Sequence, residues 1–155
     1  VRSGRRLAVD VGKVRVGLAI SDFHGILASP LQNVARQTDD TETIRLILAA
    51  IEDQDLLELY VGLPVSMSGT ATASTDDAVA VANLLAAATD LPVRMIDERL
   101  TTVSASAALR SSGKNSKEGR QVIDQVAATM ILEQAMAIEK NTGREPGIEL
   151  GELNV

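Results

Sequence analysis

An apolar run, Leu7-Ala8-Val9, ends in an acid, Asp10, and leads at once into a segment punctuated by Gly12 and Gly17. No other feature limits the fold as much. A short run rich in Val, Leu and Ala reads as a strand, and the tight Gly12-Lys13 turn folds it back on a second one, giving an antiparallel hairpin over 5–11 and 14–21. Asp10 then stands where a strand leaves the core. Two more acids have comparable settings: Glu98 directly follows the apolar run 92–97, and Asp124 lies on the mostly apolar helix 122–132. Three acids from three distant elements point to a metal site.

The rest of the chain alternates helix and strand. A third short strand is predicted near 29–36. A helix is predicted over 41–57, with Ile44, Ile47, Leu48 and Ile51 at helical spacing behind a Thr/Asp cap. Residues 57–63 read as a buried strand stopped by Pro64, and 66–74 as a small polar loop. Ser74 with Asp77 has the spacing of a capping box at the head of an Ala-rich helix. A buried strand over 92–97 follows, then a helix from Thr101 closed by Gly113, a flexible polar stretch over 114–120, and a last helix from about Arg120 to Glu139. A meander followed by alternating helix and strand means an α/β fold with a mixed sheet, one domain over 1–140, and a flexible acidic tail over 141–155. Sites in such sheets lie at the carboxyl ends of the parallel strands.

Composition narrows the function classes. One Phe, one Tyr and no Trp leave the core to Leu, Ile, Val and Ala and offer no base-stacking platform. With no Cys there is no disulfide, no thiolate zinc site and no Cys nucleophile. No apolar run approaches the ~20 residues of a membrane span and no charged-then-apolar leader precedes the fold, so the chain reads as cytoplasmic. A net charge of −6 argues against a nucleic-acid partner, but its distribution matters more than its sum. Residues 39–58 are strongly acidic, whereas 94–120 carry Arg94, Arg99, Arg110, Lys114, Lys117 and Arg120 against three acids, and Arg2, Arg5, Arg6, Lys13 and Arg15 add to the N-terminal segment. These could form a basic surface around an acidic centre, or be ordinary solvated charges.

Carboxylates are natural ligands of Mg²⁺ and Mn²⁺. Two such ions about 3.5–4 Å apart can activate a water and stabilise the leaving oxygen in phosphodiester hydrolysis. Each acid also has a structural explanation. Asp10 could bond the amides of the next turn, and Asp124 could answer a helix dipole. Against the latter, Ala127 and Ala128 would let the helix approach the sheet and bring Asp124 with it. Asp97 and Glu98 are adjacent, so on a strand they point to opposite faces and only one serves the site. His24, the single histidine, reads as a surface residue. The Asp-x-Gly hairpin is similar to the phosphate loop of actin-like ATPases, but Val14 follows Gly12-Lys13 where a Walker A loop has Ser or Thr.

Taken together, VDVGKVRVGLAISD, VGLPVSMSGT, DERLTT and IDQVAATMIL resemble the YqgF/RuvX family of Holliday junction resolvases and pre-16S rRNA nucleases, in order and over nearly the whole chain. The resemblance implies a ribonuclease H-like fold, with a mixed five-stranded sheet flanked by helices, and metal-dependent phosphodiester cleavage with Mg²⁺ or Mn²⁺. It maps the catalytic and metal-binding acids to Asp10, Glu98 and Asp124. Lys13, Arg15, Arg99, Lys114, Lys117 and Arg120 are the expected contacts to structured RNA or branched DNA. Where related resolvases carry a fourth acid near the helical one, this chain has Ala127, unless Asp97 or Asp22 contributes. Processing of the 5′ end of 16S rRNA is the favoured activity. A Holliday junction resolvase, which needs two active sites on a two-fold axis and hence a homodimer, is the alternative enzyme. A non-cleaving nucleic-acid-binding module is the alternative outside enzymes.

Overall fold

The computed structural model describes residues 2–98 and 116–153, and in the stretch 116–125 the backbone alone. Strands β1 (Arg5–Val11) and β2 (Arg15–Ser21) form the expected hairpin, with Asp10 paired to Gly17. The Gly12 N–H donates to the Arg15 carbonyl at 3.0 Å, and a Cβ at Gly12 would have no room against that oxygen. The single third strand expected near 29–36 is two: β3 (Ala28–Pro30) and β4 (Val34–Ala35) each pair antiparallel with β2. After Pro30 the Leu31 N–H still donates to the Leu18 carbonyl at 2.8 Å, and residues 31–33 separate the two strands.

Helix α1 (Asp40–Ile51) is capped by the Asp39 carboxylate, which accepts from the Thr41 N–H. It stops six residues short of the expected end, because the polar run 52–55 has no face to bury before β5 (Leu56–Leu63) begins. Helix α2 (Ala73–Ala88) is capped by Thr72 and Thr75, each side chain bonding the other's backbone N–H, not by Ser74 and Asp77. The Thr75 hydroxyl also donates to the Pro64 carbonyl, tying the helix start to the end of β5. Strand β6 (Val93–Asp97) follows. The helix expected over 101–113 lies outside the described residues. Helix α3 (Ser116–Thr142) takes in part of the stretch read as flexible, 114–120, and runs past Glu139.

The segment expected to be a flexible tail, 141–155, carries secondary structure over 148–152. Strand β7 (Ile148–Glu149) pairs antiparallel with β6, and a short 3-10 helix (Leu150–Glu152) follows. Arg94 holds this return: its guanidinium donates to the Pro146 carbonyl at 2.6 Å and the Gly147 carbonyl at 2.9 Å, and pairs with Glu149 at 3.3 Å. Gly147, at φ +80°, lies against the Met95 carbonyl where a side chain has no place.

The strands make one mixed sheet in the order β3-β2-β1-β5-β6-β7, with β4 also on β2. Among the described residues it has seven strands where five were expected; β4 and β7 are the short additions. The pairs β1–β5 and β5–β6 are parallel and the rest antiparallel. Strand alternation divides the core in two. Leu7, Val9, Leu18, Leu59, Val61 and Met95 point to one face, where Ile44, Ile47 and Ile51 of α1 and Val81 and Leu85 of α2 cover them. Ala8, Ala19, Tyr60 and Ile96 point to the other and meet Ala128, Ile131, Leu132 and Ala135 of α3. Each fully buried Leu or Ile contributes about 1.5–3 kcal/mol. No helix among the described residues is long and apolar enough to cross a membrane.

Candidate active site

The parallel strands β1, β5 and β6 end at one edge of the sheet, and two of the three singled-out acids, Asp10 and Glu98, lie at that edge. On β1 the residues Arg6, Ala8 and Asp10 share the α3 face by alternation. The neighbours of Asp10 are glycines on both sides: Gly17 pairs with it on β2, and Gly62 on β5 lies one step past the Val9–Val61 pair. Glu98 leaves β6 with its N–H donating to the Leu63 carbonyl at 3.3 Å. Its carboxylate then folds back over Gly62. A Cβ built on Gly62 would sit 2.0 Å from Glu98 Oε2 and 2.7 Å from Ile131 Cδ1, so the glycine leaves the carboxylate its place between sheet and helix.

Asp97 takes the other side. It pairs with Leu63, whose side chain belongs to the core under α1 and α2, and its carbonyl accepts from Gln134 Nε2 at 3.1 Å. Asp22 is remote from this edge and engaged: its Oδ1 accepts from the Ile26 and Leu27 N–H groups at 2.7 and 3.0 Å. Those backbone bonds, led by Leu27, hold its carboxyl below the usual range. His24 is an exposed loop residue, edge-on to Phe23 with ring centroids 5.4 Å apart.

Asp124 lies in the α3 stretch described by its backbone alone. It is one turn before Ala127 and Ala128, which are 6% and 0% exposed. Ala128 packs with Ala8, Ala19 and Tyr60, as the small residues in that turn lead one to expect. Lys117 and Arg120 are on the preceding turns of α3, also as backbone alone, and Arg99 and Lys114 lie outside the described residues. Lys13 is exposed at the tip of the β1–β2 turn and Arg15 opens β2, both at the same sheet edge as Asp10. Among the described residues no group of three or more potential metal ligands stands together.

Two clusters that sequence reasoning missed fix these positions. At the far end of α3, Glu139 is 2% exposed and receives Arg6 Nη2 at 2.7 Å, the Arg2 N–H at 3.1 Å and the Arg2 guanidinium, which also pairs with Glu58 at 2.8 Å. Burial alone would raise the Glu139 carboxyl, but hydrogen bonds from Arg2 and the charges of Arg6 and Arg2 outweigh it and hold it below the usual range. This pins the C-terminal end of α3 to the start of β1, so the helix runs antiparallel to β1 and its first half, with Asp124, extends toward the edge bearing Asp10 and Glu98. Of the charges that could have formed a basic surface, Arg2, Arg6 and Arg94 are engaged in internal pairs. Near the site, Arg36 donates to the Gly12 carbonyl at 2.8 Å and pairs with Asp40 and Asp77, each at 2.8 Å. It ties the hairpin turn after Asp10 to the first turns of α1 and α2. The i, i+4 spacing of Arg36 and Asp40 was its only signal in the sequence.

Known proteins share this fold and this sequence pattern. The structure superposes on "T. thermophilus RuvC in complex with Holliday junction substrate" with a TM-score of 0.56, covering 92% of this chain and 99% of that one at 13% identity, which shows a shared ribonuclease H-like fold. The chain is 54% identical over 147 residues to the Clavibacter michiganensis protein named "Putative pre-16S rRNA nuclease", covering 95% of this chain and 91% of that one. It is 45% identical over 148 residues to the protein of that name from Streptomyces avermitilis, covering 95% and 94%. A family model described as "RuvX: Holliday junction resolvase" matches residues 4–138. The chain belongs to the RuvX family.

Proposed function

We propose that this protein is a divalent-metal-dependent endonuclease that hydrolyses phosphodiester bonds of structured nucleic acid, and that its substrate is the 5′ end of pre-16S rRNA. One observation carries the reading: the Glu98 carboxylate is laid over the bare backbone of Gly62, on the same sheet face and at the same edge as Asp10. A carboxylate in that setting fits a hard cation, which prefers oxygen ligands and keeps room for water and phosphate oxygens. Asp10, Glu98 and Asp124 are the residues that would hold Mg²⁺ or Mn²⁺. When bound, the metal supplies the charge that activates water and stabilises the leaving oxygen. The chain itself orients the two sheet carboxylates through Gly17 and Gly62 and fixes the turn after Asp10 through Arg36. Lys13, Arg15, Arg99, Lys114, Lys117 and Arg120 are assigned to the phosphate backbone, and the location is the cytoplasm.

The relatives' names favour the rRNA precursor. The family description favours a second reading, a Holliday junction resolvase, which would need two active sites on a two-fold axis and so a homodimer. Incubation with a 16S precursor and, separately, a four-way DNA junction, each with Mg²⁺, Mn²⁺ or EDTA, decides between them. Cleavage of the precursor alone, lost in EDTA and in Asp10→Asn, is the expected result. An Asp10→Asn protein that cleaves normally would remove the central assignment. Cleavage of the junction alone, by a dimer in sedimentation, would move the function to the second reading.

A further inference from the structure

The sheet face away from α3 carries a surface that phosphodiester cleavage does not use. The segments 39–55 and 72–90, which hold α1 and α2 with their flanking turns, contain nine of the chain's 21 acids and, in Arg45, one of its 15 basic residues. Counting also Arg36, which pairs with Asp40 and Asp77 at the starts of the two helices, the balance there is nine acids against two basic residues, while the remainder holds 13 basic residues against 12 acids, so the net negative charge belongs to this pair of helices. Within it, Ile44, Leu48, Leu84 and Ala88, with Thr41 and Arg45, line a groove of about 270 Å³. Leu84 is 40% exposed at its edge. Among the described residues the one cation that lines it, Arg45, is paired with Glu42 on its own helix. Helical spacing continues the groove's two walls into acids: Glu52, the C-cap of α1, is one turn beyond Leu48, and Asp76 is two turns before Leu84 on α2, both exposed.

We propose that this groove docks a basic amphipathic segment of a partner protein, with an apolar side chain seated between α1 and α2 and Lys or Arg residues over Glu52, Asp76 and the exposed cap Asp39. Charge selects this occupant from the others. A nucleic acid would bring phosphates against a concentrated negative surface. A second copy using the same face would set acids against acids, because a two-fold interface repeats the same patch on both sides. An apolar centre with an acidic rim fits the helix-in-groove mode, in which apolar residues anchor and charge sets the partner. The inference rests on the groove and its charge, and holds whether or not the chain cleaves RNA.

The test uses the full chain and a fluorescein-labelled helical peptide of Lys and Leu in amphipathic order, with two controls: the same peptide with Glu for Lys, and one with Gln for Leu. Anisotropy should show binding of the Lys-Leu peptide alone, with methyl shifts in NMR confined to Ile44, Leu48 and Leu84. Leu84→Lys should weaken binding at least tenfold, while Leu84→Met, which keeps the apolar contact, should leave it within about twofold. The pair Glu52→Gln and Asp76→Asn should flatten its salt dependence. Equal binding of the Lys-Gln peptide, an unchanged affinity in Leu84→Lys, or methyl shifts elsewhere would overturn the proposal. So would a structured RNA that shifts the same methyls, or a self-association abolished by Leu84→Lys. Cleavage measured in the same samples keeps the two readings apart, since Leu84→Lys should not change it.

Discussion

Gly62→Ala is the most incisive perturbation of the site, because it adds one methyl group at the point where sheet, helix and carboxylate meet. The new Cβ would lie 2.0 Å from Glu98 Oε2 and 2.7 Å from Ile131 Cδ1, against an ordinary separation of about 3.5 Å. The carboxylate therefore has to withdraw by about 1.5 Å and the Ile131 methyl by about 1 Å. Moving the end of a flexible Glu side chain is cheap for folding. It is expensive for catalysis, where a displacement of about 1 Å costs on the order of 100-fold. Crowding Ile131 is a packing penalty of about 1–3 kcal/mol, which lowers the melting temperature of a chain this size by roughly 3–10 °C. The two effects separate in Gly62→Ala with Ile131→Val, since Val has no Cδ1. The double variant should regain most of the thermal stability and none of the cleavage. Single-turnover cleavage of a labelled 16S precursor at 25 °C, beside calorimetry of each variant, measures both. Cleavage that returns together with stability would trace the defect to packing, and a fully active Gly62→Ala would show that Glu98 has no need of its place over Gly62.

The opposite faces taken by Asp97 and Glu98 make a direct comparison: Glu98→Gln should abolish metal-dependent cleavage and paramagnetic broadening by Mn²⁺, while Asp97→Asn keeps most of both, and the reverse result would break the site as drawn. Replacing Lys114, Lys117 and Arg120 together should weaken RNA binding and reduce its log–log salt slope by about 0.7–0.9 for each phosphate no longer neutralised; an unchanged slope in a fluorescence titration would turn this segment away from the substrate. Glu139→Gln should cost about 3–5 kcal/mol in urea unfolding at pH 7, because it leaves Arg6, 1% exposed, without its buried counter-charge. The Glu139 carboxyl is held below its usual range in the fold. Its contribution is therefore fully present above the unfolded value of about 4.3 and is lost as pH falls through the lower folded value. Wild type should then approach the variant in stability on the acid side, and a constant gap from pH 7 to 3 would refute the linkage.

The local pattern alone determined much of this protein. Short continuous runs of Val, Leu, Ile and Ala located β1, β2, β5 and β6, because those strands are buried on both faces, and helical spacing of Ile44, Ile47 and Ile51 located α1, which buries one. The same logic marked Asp10 and Glu98, acids at the ends of buried strands where solvation alone does not explain a carboxylate. What the sequence could not decide depended on partners far along the chain. The return of the chain after α3, with β7 at Ile148–Glu149, rests on Arg94, 52 residues before Pro146, and nothing in a Gly- and Glu-rich segment by itself distinguishes a docked return from a free one. The cap of α2 fell to Thr72 because Pro64 presents its carbonyl to Thr75, while Asp77 was drawn to Arg36. The basic surface was overcounted because charge along a sequence carries no burial: Arg2 and Arg6 meet Glu139 across more than 130 residues. The role of Gly62 was equally invisible. A glycine ending a strand reads as a turn former, and only the approach of Glu98 from β6 and Ile131 from α3 gives the missing side chain its meaning.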